Sequence, residues 1–131
     1  MPTQLEDHSP AAGERPDRPR FAIGHLSLAA ADVEALARFY VDIGMRPVMA
    51  TSRMAIIELA GGTHIVFSAG PAGDQQLDLI VEDIDETHAV LAAAGGAPGE
   101  IRRGSPHDTF AAADPEGNRL VIHSTHAIGP V

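Results

Sequence analysis

The chain has 131 residues, of which 44% are hydrophobic, and carries a net charge of −9 at pH 7. This length suffices for one compact domain, and the acidic balance disfavours nucleic acid and anionic membrane surfaces as partners. The sequence contains no cysteine, which excludes disulfides and thiolate zinc sites.

The first twenty residues differ in composition from the rest of the chain. They contain four prolines, charges of both signs and few large apolar side chains. Such a segment cannot bury enough apolar surface to offset the entropy of ordering, so residues 1–20 are predicted to form a flexible tail. The chain has neither an apolar run of membrane-spanning length nor the apolar segment of a secretory signal, so we expect a cytoplasmic protein.

The remainder of the chain contains an internal repeat. The segments "GHLSLAAADVEALARFYVDIGMRP" and "QQLDLIVEDIDETHAVLAAAGGAP" align without a gap, so that Gly24 corresponds to Gln75 at an offset of 51 residues. After the helices the offset becomes 55, because Gly62 corresponds to Gly117. The repeat predicts a single domain, 21–131, built from two modules at 21–74 and 75–126.

Each module begins with alternating apolar and polar residues, which predict a strand, and continues with a helical stripe. Asp32 and Asp83 stand where a helix N-cap is expected, and Gly44 and Gly95 where a C-cap glycine ends the helix. Glycines 61 and 62 and the turn "DPEG" then separate further apolar runs. The prediction for each module is strand, helix and three strands, which is an α+β fold.

Four segments in this order and spacing resemble the vicinal oxygen chelate superfamily, which includes glyoxalase I, bleomycin-resistance proteins and extradiol dioxygenases. They are "GHLSL", "ARFYVDIGMRPV", "LIVEDID" with "LAAAGG", and "DPEGNRLVI". The resemblance implies two βαβββ modules that form a curved, partly closed mixed sheet around a cup, with the helices on its outer face. It also implies a small-molecule ligand and a homodimer, whereas the reaction stays open because this fold hosts many.

The metal-using members of the superfamily place four ligands in the cup, and the resemblance maps these positions onto His25, Val66, Gln76 and Val121. Valine has no lone pair, so the usual metal centre is not present as written. His64 and His123 lie two residues from these valines, on the same strand faces. His25, His64 and His123 are therefore candidate ligands of a rearranged site for one divalent ion. His25 is equally well explained as a pocket histidine that bonds to Gln76 or to an organic ligand, whereas His64 and His123 resemble partly exposed strand histidines more than ligands.

Two functions follow from these residues. The first is a metal-free cup that binds a small organic molecule, with His25 and Asp78 as candidates for acid–base catalysis. The second is a metal-dependent lyase, isomerase or dioxygenase that uses the histidine-rich site. Pairing with Arg119 is an alternative explanation for Asp78. The predicted pocket comprises His25, Ser27, His64, Val66, Gln76, Asp78, Arg119, Val121 and His123.

Overall fold

The computed structural model describes residues 20–21, 23–72 and 75–125. The predicted tail therefore lies, apart from Arg20, outside the described residues. The described part contains seven strands and two helices in the order of a duplicated module. Among these residues, no helix is long and apolar enough to cross a membrane.

The first module contains β1 (His25–Ala30), α1 (Val33–Asp42), β2 (Arg46–Ala50), β3 (Met54–Glu58) and β4 (His64–Ala69). Its sheet has the order β1-β4-β3-β2. The pairing of β1 with β4 is parallel, and the other two pairings are antiparallel. Strands β1 and β2 are thus the two edges of this sheet.

The second module contains β5 (Gln76–Val81), α2 (Ile84–Ala93), β6 (Thr109–Ala113) and β7 (Arg119–Ser124), with the sheet order β5-β7-β6. The predicted first strand after the helix is reduced here to an isolated bridge between Arg102 and Thr109. The backbone N–H of Gly99 also bonds to the carbonyl of Ala111. Otherwise the two modules match, at the offsets that the sequence predicted.

The predicted helix ends are confirmed. The side chain of Asp32 accepts a hydrogen bond from the backbone N–H of Ala35, and Asp83 caps the second helix in the same way. Gly44 and Gly95 follow the helices with φ of 121° and 84°. These are backbone conformations that residues with a Cβ adopt at a cost, which explains glycine at both positions.

Both sheets bury one face against the helices, because alternate residues along a strand point to opposite sides. The buried residues of both modules form one continuous core. Those buried almost completely include Tyr40, Phe67, Leu36, Ile57, Ile65, Leu91, Leu120 and Ile122. The opposite face of the two sheets, which we call the cup face, carries the predicted pocket residues.

The edge strands β1 and β5 face each other across a gap that we call the seam. At one end of the seam, the Gln75 carboxamide accepts a hydrogen bond from the N–H of Ala29 at 3.4 Å and donates one to its carbonyl at 3.3 Å. The Asn118 side chain accepts a hydrogen bond from the N–H of Gln75. Side chains, rather than a backbone ladder, therefore join the two modules at this end.

Candidate functional site

A row of four polar residues crosses the cup face of the first sheet. His25, His64, Glu58 and Arg46 are consecutive partners in the register of β1, β4, β3 and β2. The rings of His25 and His64 stack with their centroids 5.7 Å apart. The Nε2 atom of His64 lies 3.5 Å from a carboxylate oxygen of Glu58, so the row links a histidine pair to a charged pair.

Glu58 is the electrostatic centre of this row. The Arg46 guanidinium donates to its Oε1 atom through Nε at 2.8 Å and through Nη2 at 2.5 Å. These hydrogen bonds, with a smaller contribution from His64, hold the pKa of the Glu58 carboxyl below its usual value. The carboxylate therefore remains an acceptor that can fix the orientation of the His64 ring.

Valines occupy the centre of the cup face in both sheets. Val66 lies between Ser27 and Ile56 in the register of the first sheet. Val121 lies between Asp78 and Ala111 in the second. Both valines are half-buried. Because neither side chain has a donor atom, the residues do not fit the metal centre that the superfamily implies.

His123 lies on the second sheet, away from the histidine pair of the first. Its Nδ1 atom is 3.0 Å from the hydroxyl of Thr109, and its ring centroid is 4.6 Å from that of His107. Among the described residues, no group of three or more His, Asp or Glu side chains is arranged to hold a metal ion. Of the three predicted imidazole ligands, the structure thus brings His25 and His64 together and places His123 on the other sheet.

Gln76 and Asp78 lie together on the exposed cup face of β5. The Gln76 amide donates to Asp78 Oδ1 at 3.1 Å. Arg119 is the register partner of Gln76, whereas Asp78 lies opposite Val121. The Asp78 carboxylate thus accepts a hydrogen bond from a neutral amide, and it lies on an open surface where it can act as an acceptor or base.

A cavity of about 520 Å³ opens at the other end of the seam. It reaches inward to Leu91 and Ile122, and its entrance includes Ile23 and Ile80. These isoleucines are 64% and 59% exposed. Of the predicted pocket residues, only Asp78 lines this cavity. Hydrophobic periodicity does not reveal such a space, because the space depends on how two strand edges are placed relative to each other.

Comparisons with known proteins agree with this architecture. Lactoylglutathione lyase from Agrobacterium tumefaciens superposes with a TM-score of 0.70 at 18% identity, over 83% of this chain and 97% of that chain. The oxidase ChaP-H2 gives 0.70 at 22% identity, over 82% and 95%. A bleomycin resistance determinant encoded on the transposon Tn5 gives 0.67 at 18% identity, over 82% and 100%. At these identities the likeness concerns the fold.

No curated protein matches the sequence significantly. The family model described as a glyoxalase-like domain matches residues 25–123, which include all seven strands except the last residue of β7. With the duplicated module, this match identifies the chain as a member of the glyoxalase-like domain family, within the vicinal oxygen chelate superfamily.

Proposed function

We propose that the protein binds a small organic molecule on its cup face without the usual metal centre of the superfamily. The two valines carry this proposal, because Val66 and Val121 put apolar surface where the metal-using members place ligands. Polar side chains lie beside both valines, because Ser27 is the register partner of Val66 and Asp78 is that of Val121. A surface that combines apolar side chains with a few polar groups suits a ligand with a small number of hydrogen-bonding groups.

Acid–base chemistry is the activity that these polar groups can support. His25 and Asp78 are both exposed on the cup face and belong to different modules. A neutral imidazole accepts a proton near neutral pH, and a carboxylate can accept one from a more acidic carbon or hydroxyl. We therefore propose these two residues as the candidates for proton transfer, with Ser27 and Arg119 as further ligand contacts.

We also propose that the protein forms a homodimer. The edge strand β2 is exposed along its whole length, and Val48 on it is 52% exposed. Two other large apolar side chains nearby, Met49 and Met54, are 38% and 39% exposed. An open strand edge with apolar side chains is a surface that natural proteins usually cover, and a second copy would cover it here.

Metal binding is the first property to measure. Elemental analysis of untagged protein, followed by calorimetric titration with zinc, nickel, manganese and iron(II), should give no stoichiometric site. The control variants are His25→Ala and His88→Ala, since His88 bonds instead to the carbonyl of Gly99. Tight 1:1 binding that His25→Ala abolishes and His88→Ala leaves unchanged would contradict the proposal. It would favour the metal-dependent enzyme, for which the His25–His64 pair is the supporting observation.

Ligand binding can be located by NMR titration of the full chain with a library of small organic molecules. The proposal expects hits that shift the backbone amides of Ser27, Val66 and Val121 together, because these lie at the centre of the cup face. Val66→Asp, which puts a charge into that centre, should weaken such hits, whereas Glu100→Gln on an outer loop should not. Hits that never shift these amides would contradict a cup-face site.

A further inference from the structure

The two ends of the seam are equivalent positions in the repeat, but they carry different residues. Five polar side chains close one end, and we call them the polar clamp: Tyr40, Gln75, Asp114, Glu116 and Asn118. At the offsets of 51 and 55, their counterparts at the other end are Leu91, Gly24, Leu59, Gly61 and Thr63. Every counterpart is smaller or less polar. The cavity lies where the clamp has no equivalent.

The structure supports this equivalence at the level of single hydrogen bonds. The N–H of His64 donates to the carbonyl of Gly24, and the N–H of Arg119 donates to that of Gln75. The two acceptors and the two donors are counterparts in the repeat. Three of the counterparts, Leu91, Leu59 and Thr63, line the cavity. The cavity thus occupies the position in the first repeat that the polar clamp fills in the second.

Peptide groups of β1 point into the seam. Because His64 bonds to the carbonyl of Gly24 and Gly70 to that of Ala30, the even-numbered residues of β1 pair with β4. In a parallel ladder the alternate residues then point the other way. Ala29 is one of these, and both its N–H and its carbonyl bond to the Gln75 carboxamide. A single carboxamide therefore satisfies both backbone groups of one edge residue.

The same geometry recurs on β5 at the open end. Arg119 bonds to the carbonyl of Gln75 and Thr125 to that of Val81, so the odd-numbered residues pair with β7. The peptide groups of Asp78 and Ile80 consequently point into the seam. Ile80 is the counterpart of Ala29, and Gly24 is the counterpart of Gln75. Gly24 has no side chain to bond to Ile80, and a Cβ added to it would meet nothing within 4 Å.

We propose that this open end is a second binding site, which adjoins the cup face at Asp78 but extends into the cavity between the modules. It takes a small molecule with a primary carboxamide on an apolar body. The carboxamide bonds to the N–H and carbonyl of Ile80, as the Gln75 side chain does at Ala29, and the apolar body fills the cavity down to Leu91 and Ile122. The volume of about 520 Å³ is within the range of small-molecule sites. A neutral group that both donates and accepts is required, because an edge residue presents one N–H and one carbonyl.

Hexanamide is a suitable probe, with hexanoate and 2-heptanone as matched compounds that lack the N–H donor. In an NMR titration of the full chain, hexanamide should cause saturable shifts of the Ile80 and Asp78 amides. The two matched compounds should bind about fivefold to tenfold more weakly, as expected from the loss of one hydrogen bond. Equal binding of all three would overturn the carboxamide assignment. Shifts centred on Val66 and Val121 would place the probe on the cup face and overturn the site.

Gly24→Gln tests the same proposal from inside the protein. The new side chain supplies the missing carboxamide, so it should weaken hexanamide binding at least about tenfold. The matched control is Gly24→Ala, which adds only a Cβ and should keep the affinity within about twofold, since that Cβ has open space. Unchanged affinity in a folded Gly24→Gln protein would overturn the proposal. If that variant does not fold, the titration of the unmodified chain decides alone.

Discussion

Tyr40 on α1 and Asp114 before β7 are joined by a buried hydrogen bond of 2.6 Å between the modules. Burial raises the pKa of the Tyr40 hydroxyl well above its usual range, and the hydrogen bond and the charge of Asp114 add to this effect. Asp114 also accepts from the Asn118 side chain at 2.8 Å. The tyrosine is therefore a permanent donor in a buried polar network that holds the two modules together.

Replacing Tyr40 with Phe should lower the free energy of unfolding by about 1–3 kcal/mol, because a buried hydrogen bond to a carboxylate is lost. Urea denaturation measures this change, and the slope with denaturant should stay the same. Asp114→Asn and the double variant complete a thermodynamic cycle, in which the two sites should show coupling of about 1 kcal/mol or more. Additive effects would mean that the hydrogen bond contributes nothing specific.

The valines of the cup face give a gain-of-function prediction. The double variant Val66→Glu, Val121→Glu places carboxylates where the superfamily has them, and His25 supplies an imidazole on the same face. Calorimetry should detect a 1:1 site for zinc, nickel or manganese in this variant, since N and O donors suit these ions.

The matched control for this experiment is Ile56→Glu, which adds a carboxylate to the same face next to Val66. This control should bind metal no better than the unmodified protein. His25→Ala in the double variant should abolish the new site. Failure to gain any site would show that the two valines are not what separates this chain from the metal-using members.

The exposed edge strand makes the dimer testable. Val48→Lys introduces a charge at an apolar position of β2, and burying that charge in an interface would require desolvation without a partner. Sedimentation velocity should show a dimer for the unmodified chain and a shift toward monomer for this variant. Glu100→Lys, an exposed change on a loop of the other module, is the control. A monomer in the unmodified protein would contradict the proposal.

The duplicated fold was predictable because its signals are local. Asp32 and Asp83 cap helices through their own neighbours, and Gly44 and Gly95 end them through their own backbone angles. Each signal needs only a few adjacent residues. The alignment of the two repeats then predicted one topology for both modules, which holds except for the strand that is reduced to an isolated bridge at Arg102.

The open end of the seam was not predictable from such signals. Gln75 bonds to Ala29, which is 46 positions away, and the contact exists only after two strand edges have come together. The alignment did contain one indication, because Gln75 corresponds to Gly24, which has no side chain. A position at which the two copies of a repeat carry side chains of very different size is therefore a candidate for a binding site. The partners of Glu58 were missed for the same reason, since they lie on neighbouring strands.

The ion pairs of Arg103 should make the stability of the protein depend on pH. Arg103 donates to Asp85 at 2.6 Å and to Asp108 at 3.0 Å, and so ties the loop after α2 to that helix and to the start of β6. The Arg103 hydrogen bonds hold the pKa of the Asp85 carboxyl below its usual value. For Asp108, the N–H of Gly104 is the main cause of a lowered pKa and Arg103 the second.

Because both pKa values are lower in the folded state, the unfolded chain binds protons at a higher pH than the folded chain does. The resulting stability is present above the ordinary aspartate pKa of 3.8 and is lost as the pH falls through the folded values. Arg103→Gln removes part of this contribution. The melting temperature of the variant should therefore lie below that of the unmodified chain at about pH 7 and approach it near about pH 2.

Calorimetric scans across this pH range provide the measurement, and Arg102→Gln is the matched control for the loss of one positive charge. The groups are exposed, so the difference should be small and should shrink further in salt. If the difference in melting temperature between Arg103→Gln and the unmodified chain stays constant down to low pH, the two aspartates do not contribute to stability through Arg103. A convergence that appears equally in Arg102→Gln would instead assign the effect to net charge, because that variant changes the charge and leaves both ion pairs in place.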